Sequence, residues 1–127
     1  MNRMILRPDP DDEVYTDERC HILEMSNSAM DEALSIARAR VEPGVTTALH
    51  RLKGTIERYV VLEGQGEVEI AGGAAERVKA GDVVVIPANA AQRIANTGDH
   101  DLVFLALCTP RFRPESYASA EVADRNV

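Results

Sequence analysis

Positive charge is scarce in this chain: 14 Lys plus Arg stand against 21 Asp plus Glu in 127 residues, a net charge of −7. That balance argues against a general nucleic-acid binder, which shows a basic patch or stripe, and against a surface that docks on anionic lipid. Long apolar runs are also missing. The longest, near residues 83–86 and 102–108, fall far short of the ~20 residues of a membrane-spanning helix. Cysteine is limited to Cys20 and Cys108, too far apart in sequence to build a zinc ribbon or a disulfide framework. The opening MNRMILRPDPDDE has only a brief apolar stretch before Arg7 and Pro8, which reads against a secretory signal and makes the cytoplasm the expected location. No internal repeat, low-complexity block or second domain is visible. The length suits one domain over residues 1–127, large enough to bury a core without staples.

What the chain does have is patterned glycine. All eight lie between Gly44 and Gly98, singly or in close pairs, with short Val-, Ile- and Thr-rich segments of about ten residues or fewer between them up to Gly81. Turn signals at that spacing mark an all-β sandwich or barrel. Gly72-Gly73, between VEI and AAERV, reads as a tight hairpin turn. The expected strands are 19–25, 33–42, 45–52, 56–63, 67–71, 75–79, 82–86, 91–97 and 101–108. An Ala-rich helical reading of 28–40 competes with the second of these. Residues 1–14 read as a polar arm, and 110–127 as a tail with one short helix starting near Pro114. Twelve of the fourteen cations are arginine, which favours bidentate pairing with carboxylates.

Two stretches, Val83–Ile86 and Leu102–Leu107, are apolar on both strand faces. A half-buried strand needs apolar residues on one face only, so something must cover the outside. A second sheet or a second subunit would serve, and a homodimer is expected, with the strand near 19–25 crossing to the partner.

The segment GVTTALHRLKGTIERYVVLEG places Gly44, His50, Glu57 and Gly64 at spacings of six, seven and seven. The segment GDVVVIPANAAQRIAN places Gly81, Pro87, Gln92 and Asn96 at six, five and four. Together these resemble the two motifs of the cupin family, small double-stranded β-helix barrels of jelly-roll type. Gly44, His50, Glu57, Gly64, Gly81, Pro87 and Asn96 match outright, and the implied barrel core extends over about 33–109. In the family, two histidines and the glutamate of the first motif and one histidine of the second hold a single metal inside the barrel. Here Leu52 stands for one histidine and Gln92 for another, while Asn89 replaces a glycine and still tolerates the left-handed conformation.

Strand parity puts His50 with Leu52, Glu57 with Tyr59 and Val61, and Gln92 with Ile94 and Asn96. If the resemblance holds, all of these look into one lumen. His50 and Glu57 are then the candidate catalytic residues, and Leu52, Tyr59, Val61, Gln92 and Ile94 the candidate pocket. His50, Glu57 and Gln92 form the remaining metal set. The resemblance brings a divalent ion (Zn, Ni, Fe or Mn), but an amide is a poor partner for imidazole and carboxylate, and the expectation leans against occupancy. Cys108 lies in an apolar strand, where a thiol stays protonated. His21 and His100 are expected at the surface, and Arg111 and Arg113 in a tail along a sheet edge.

The resemblance thus implies a barrel that binds a small polar or anionic molecule. One reading is an isomerase, epimerase or cyclase using His50 and Glu57 for acid/base chemistry. Another is a ligand-binding or sensing module without catalysis, and a third is a metal-dependent oxygenase. The residues alone leave enzyme or binding module open.

Overall fold

Alternation of buried and exposed side chains at period two runs through most of the chain, and the computed structural model, which describes residues 5–121, is built almost entirely of strands. They are β1 (Val14–Tyr15), β2 (His21–Ser26), β3 (Ser35–Val41), β4 (His50–Leu52), β5 (Ile56–Glu63), β6 (Gln65–Ile70), β7 (Glu76–Lys79), β8 (Val83–Ile86), β9 (Gln92–Asn96), β10 (Leu102–Thr109) and β11 (Tyr117–Ser119). One antiparallel sheet has the order β1-β2-β3-β10-β5-β8, the other β11-β4-β9-β6-β7. The inner faces meet over Val41, Val61, Ile86, Ile94, Leu102 and Phe104, all at most 3% exposed. Each such side chain contributes roughly 1.5–3 kcal/mol by leaving water.

The turns carry the constraints expected of them. In the β6–β7 hairpin the residues at positive φ are Ala71 (55°) and Gly72 (75°), so the turn centres one residue before the Gly-Gly pair. Gly66 is required for a different reason: a Cβ there would lie 2.4 Å from the carbonyl oxygen of Ala95 on the neighbouring strand. Asn89 does adopt the left-handed region, at φ 71°. Asn96 is a lock, its amide donating to the carbonyls of Val41 and His100 at 2.8 Å each. Several arginines pair with carboxylates: Arg93 grips both oxygens of Glu69 at 3.1 Å, and Arg40 links Glu13 to Asp101.

Several boundaries differ from the sequence expectation. The competing helix at 28–40 is reduced to one 3-10 turn, Ala29–Asp31, capped by Ser28, and the chain is extended from Ser35 onward. The strand expected over 45–52 is regular only at His50–Leu52, with Thr46 making an isolated bridge to Ala95. At Thr47 the N–H still donates to the Ile94 carbonyl at 2.9 Å, but the return bond from the Ile94 N–H goes to the Thr47 hydroxyl at 3.0 Å. The tail contains a 3-10 turn at Pro114–Ser116, as anticipated, but then adds β11 to the sheet beside β4. β2 pairs with β1 and β3 of its own chain.

Of the two stretches apolar on both faces, β8 buries Val84 and Ile86 and leaves Val83 and Val85 each 59% exposed on the edge of the six-stranded sheet. No helix of the described residues is long and apolar enough to cross a membrane.

Candidate functional site

His50 begins β4, and its ring orientation is set locally. Nδ1 donates to the Ala48 carbonyl at 2.9 Å, which places the proton of the neutral ring on Nδ1 and leaves a lone pair on Nε2. The face of the ring stacks on Tyr117, with centroids 5.0 Å apart and planes at 17°. Nε2 lies 3.6 Å from Oε2 of Glu18. Glu18 sits in the turn between β1 and β2, where Arg19 takes a positive φ of 66°. That turn is stitched to the β4 approach by the Ala48 N–H on the Glu18 carbonyl (3.0 Å) and by Arg19 Nε on the Thr46 carbonyl (2.9 Å). Ala48 therefore bridges the two: it accepts from His50 and donates to Glu18.

Glu57 projects inward from β5 and is 8% exposed. Burial pushes its carboxyl above the usual range, opposed by the amide of Gln92 and by nearby His50 and assisted by the negative charge of Glu18. Gln92 Nε2 donates to Glu57 Oε1 at 2.8 Å, and the Tyr59 hydroxyl donates to the other end of the same amide. Cys108 Sγ lies 3.8 Å from Glu57 Oε2. Burial raises the thiols of Cys108 and Cys20 to about 12, so both stay protonated at neutral pH.

These groups surround a cavity of about 360 Å³ at one end of the barrel, within the usual size range of a small-molecule site. Of the sequence-predicted residues, His50, Glu57, Leu52 and Tyr59 lie on its wall. Val61 and Ile94 share their parity but are packed in the core cluster. Gln92, 1% exposed, stands behind the wall and reaches the cavity only through Glu57 and Tyr59. Arg111 and Arg113 are occupied by Glu32 and lie off the wall. His100 is at the surface, with an 89% exposed side chain, whereas His21 is a partly buried bridge that meets Glu42 at 2.7 Å. Sequence reasoning missed Glu18 and Tyr117. Both lie outside the motifs and reach His50 only through chain crossings that no local spacing announces.

The metal geometry of the resemblance does not fit these side chains. Leu52 has no donor, and both ends of the Gln92 amide are committed to protein partners. Among the described residues, no group of three or more His, Cys, Asp or Glu is arranged to hold an ion.

A two-sheet antiparallel barrel with an inward His and Glu above a lumen defines a double-stranded β-helix protein with a candidate ligand site. The Cupin domain family matches residues 37–108, more than half of the chain, and the protein belongs to the cupin family. The chain is 38% identical over 91 residues to an oxalate-binding protein of Thermotoga maritima, covering 71% of this chain and 73% of that one. It is 33% identical over 90 residues to an uncharacterized protein of Methanocaldococcus jannaschii, covering 71% and 69%. A crystal structure of a predicted oxalate decarboxylase from Thermotoga maritima superposes with a TM-score of 0.70 at 27% identity, covering 84% of this chain and 99% of that one.

Proposed function

We propose that this cupin binds a small molecule with a polar head in its barrel cavity, and that His50 and Glu57 move protons on it without the family's metal. The observation that carries the reading is the pairing, on one cavity wall, of an imidazole with its Nδ1 proton held by Ala48 and a carboxyl whose proton affinity burial raises. His50 Nε2 takes a proton from carbon next to a carbonyl while Glu57 gives its proton to the carbonyl oxygen, forming an enol. His50 then returns its proton to carbon as the enol O–H gives its proton back to Glu57, which epimerises that carbon. Where the carbon carries a hydroxyl, protonation of the former carbonyl carbon with loss of that hydroxyl's proton to Glu57 moves the carbonyl instead. In both cases the two residues end as they began. A second reading, binding without chemistry, is favoured by the Gln92 bridge, which holds Glu57 to the protein.

Hydrogen exchange separates the two. Wild-type protein is incubated in D₂O with small ketones and aldehydes, and carbon-bound deuterium is followed by proton NMR. Exchange above buffer, lost in Glu57→Gln and His50→Gln, supports proton transfer. Saturable binding without exchange supports the binding-only reading, and neither binding nor exchange overturns both.

The same proposal includes a homodimer closed over the outer face of β5 and β8, where Val83, Val85 and Leu62 are 59%, 59% and 45% exposed. Two free, buried cysteines suit a reducing compartment and support a cytoplasmic location. The charge of −7 speaks against nucleic acid as a partner.

A further inference from the structure

The charge on the cavity wall is of one sign. The carboxylates of Asp17, Glu18 and Glu24 contribute to the wall beside the proton-donating Glu57, and among the described residues no lysine or arginine does. Asp17 and Glu24 are exposed at the rim, Glu18 is half-buried with a side chain 24% exposed, and Glu57 is buried. The positive groups of this end are turned elsewhere: Arg19 toward Glu121, and Arg111 and Arg113 toward Glu32. Apart from His50 and the hydroxyl residues Thr16, Ser35 and Thr47, the rest of the wall is apolar or aromatic or carries a thiol. Tyr59 and Phe104 meet at 4.3 Å between centroids, and Phe112 and Tyr117 line the same space.

His50 lies on the same wall and is 6% exposed, with its Nε2 3.6 Å from Oε2 of Glu18.

Resting on the reading of this cavity as a ligand site, we infer that its ligand is a small organic ammonium compound with an apolar body. The ammonium pairs with Glu18 beside His50 and the apolar body lies against the aromatic wall. A carboxylate or dicarboxylate would enter a lumen of low dielectric facing Glu18 with no guanidinium or ammonium to offset the cost of leaving water. An ammonium meets the opposite situation. It has a carboxylate to pair with, aromatic faces that attract cations, and a protein of net charge −7 that concentrates cations at its mouth. The site thereby departs in ligand charge from what the name of the oxalate-binding relative says of that protein.

Isothermal titration of wild-type protein with cyclohexylammonium, cyclohexanol, cyclohexanecarboxylate and oxalate tests this at two salt concentrations. The expected result is ammonium binding at least tenfold tighter than cyclohexanol, weakening with salt, and no detectable heat from either anion. Glu18→Gln should reduce ammonium affinity about tenfold and leave cyclohexanol unchanged, while Glu18→Asp retains part of the preference. Both variants are at a half-exposed turn position, and their melting curves check folding. Anion binding as tight as ammonium binding overturns the inference, as does an ammonium affinity indifferent to Glu18→Gln. Cyclohexanol binding with no ammonium preference overturns the ligand class alone, leaving the cavity reading intact. If no probe binds and no exchange occurs in D₂O, both readings fall.

Discussion

The side-chain amide of Gln92 donates to Oε1 of Glu57 at 2.8 Å, linking a position where the cupin resemblance expects a metal-binding histidine to one where it expects a metal-binding carboxylate. A hydrogen bond stands where two metal ligands would converge. Its other end is held by the Tyr59 hydroxyl, so the row Tyr59–Gln92–Glu57 has its polar partners within the protein.

Removing the amide should therefore cost more than its own bonds. Gln92→Leu leaves the buried Tyr59 hydroxyl and Glu57 carboxyl without their partner, at about 1–3 kcal/mol for each orphaned group. Urea unfolding should show a fall of that order in the midpoint-derived stability. The double variant Gln92→Leu with Tyr59→Phe should lose less than the sum of the two single changes, because one orphan disappears.

Restoring histidine should rebuild the family's donor set. In Leu52→His with Gln92→His, three imidazoles and Glu57 would face one point, and imidazole suits Zn, Ni and Fe as an amide does not. Metal at a hundredfold excess over Kd should stabilise that variant by about 2.7 kcal/mol, read as a rise in melting temperature, while wild type shifts little. A large wild-type shift abolished by Glu57→Ala would contradict the misfit of the wild-type side chains to a metal.

Glu57 also sets a pH dependence of defined sign. Its folded-state pKa lies above the unfolded value of 4.5, so between the two the folded protein holds more protons than the unfolded chain. Stability from this group is full below about 4.5 and is lost as pH rises through the folded pKa. Glu13 and Glu32 act in the opposite sense. Their arginine partners lower their carboxyls, and their contribution is lost as pH falls. Urea unfolding of wild type and Glu57→Gln across pH 4–9 isolates the first effect. The difference between them should move against wild type with rising pH, and a flat difference would contradict it.

The bare edge of β8 predicts self-association. Light scattering should return twice the chain mass for wild type, and the chain mass for Val83→Glu with Val85→Glu at unchanged secondary structure. A wild-type monomer across a wide concentration range would contradict the dimer.

Much of the barrel was legible because its constraints are local. Glycine spacing marks the turns, and parity puts His50 with Leu52 and Glu57 with Tyr59 on inward faces. Parity says which face a side chain takes but not how far along the barrel it lies. That is why Val61 and Ile94, inward like their neighbours, fill the core and do not reach the cavity. The tail reads from sequence as one short helix without a strand because three residues, Tyr117–Ser119, give too short a pattern; they become a strand only when the β4 edge is there to accept them.

The sequence by itself determined the two-sheet barrel, its inward His50 and Glu57, and the loss of donors at Leu52 and Gln92, since each follows from residue identity and period. Only the tertiary structure decided what surrounds His50. Glu18 and Tyr117 come from turns and strands far apart in the chain, brought together by the Ala48 bonds and the β4–β11 pairing. The charge sign of the cavity belongs to that second kind of fact. It depends on which carboxylates the fold turns inward and which arginines it turns away, and composition cannot specify either.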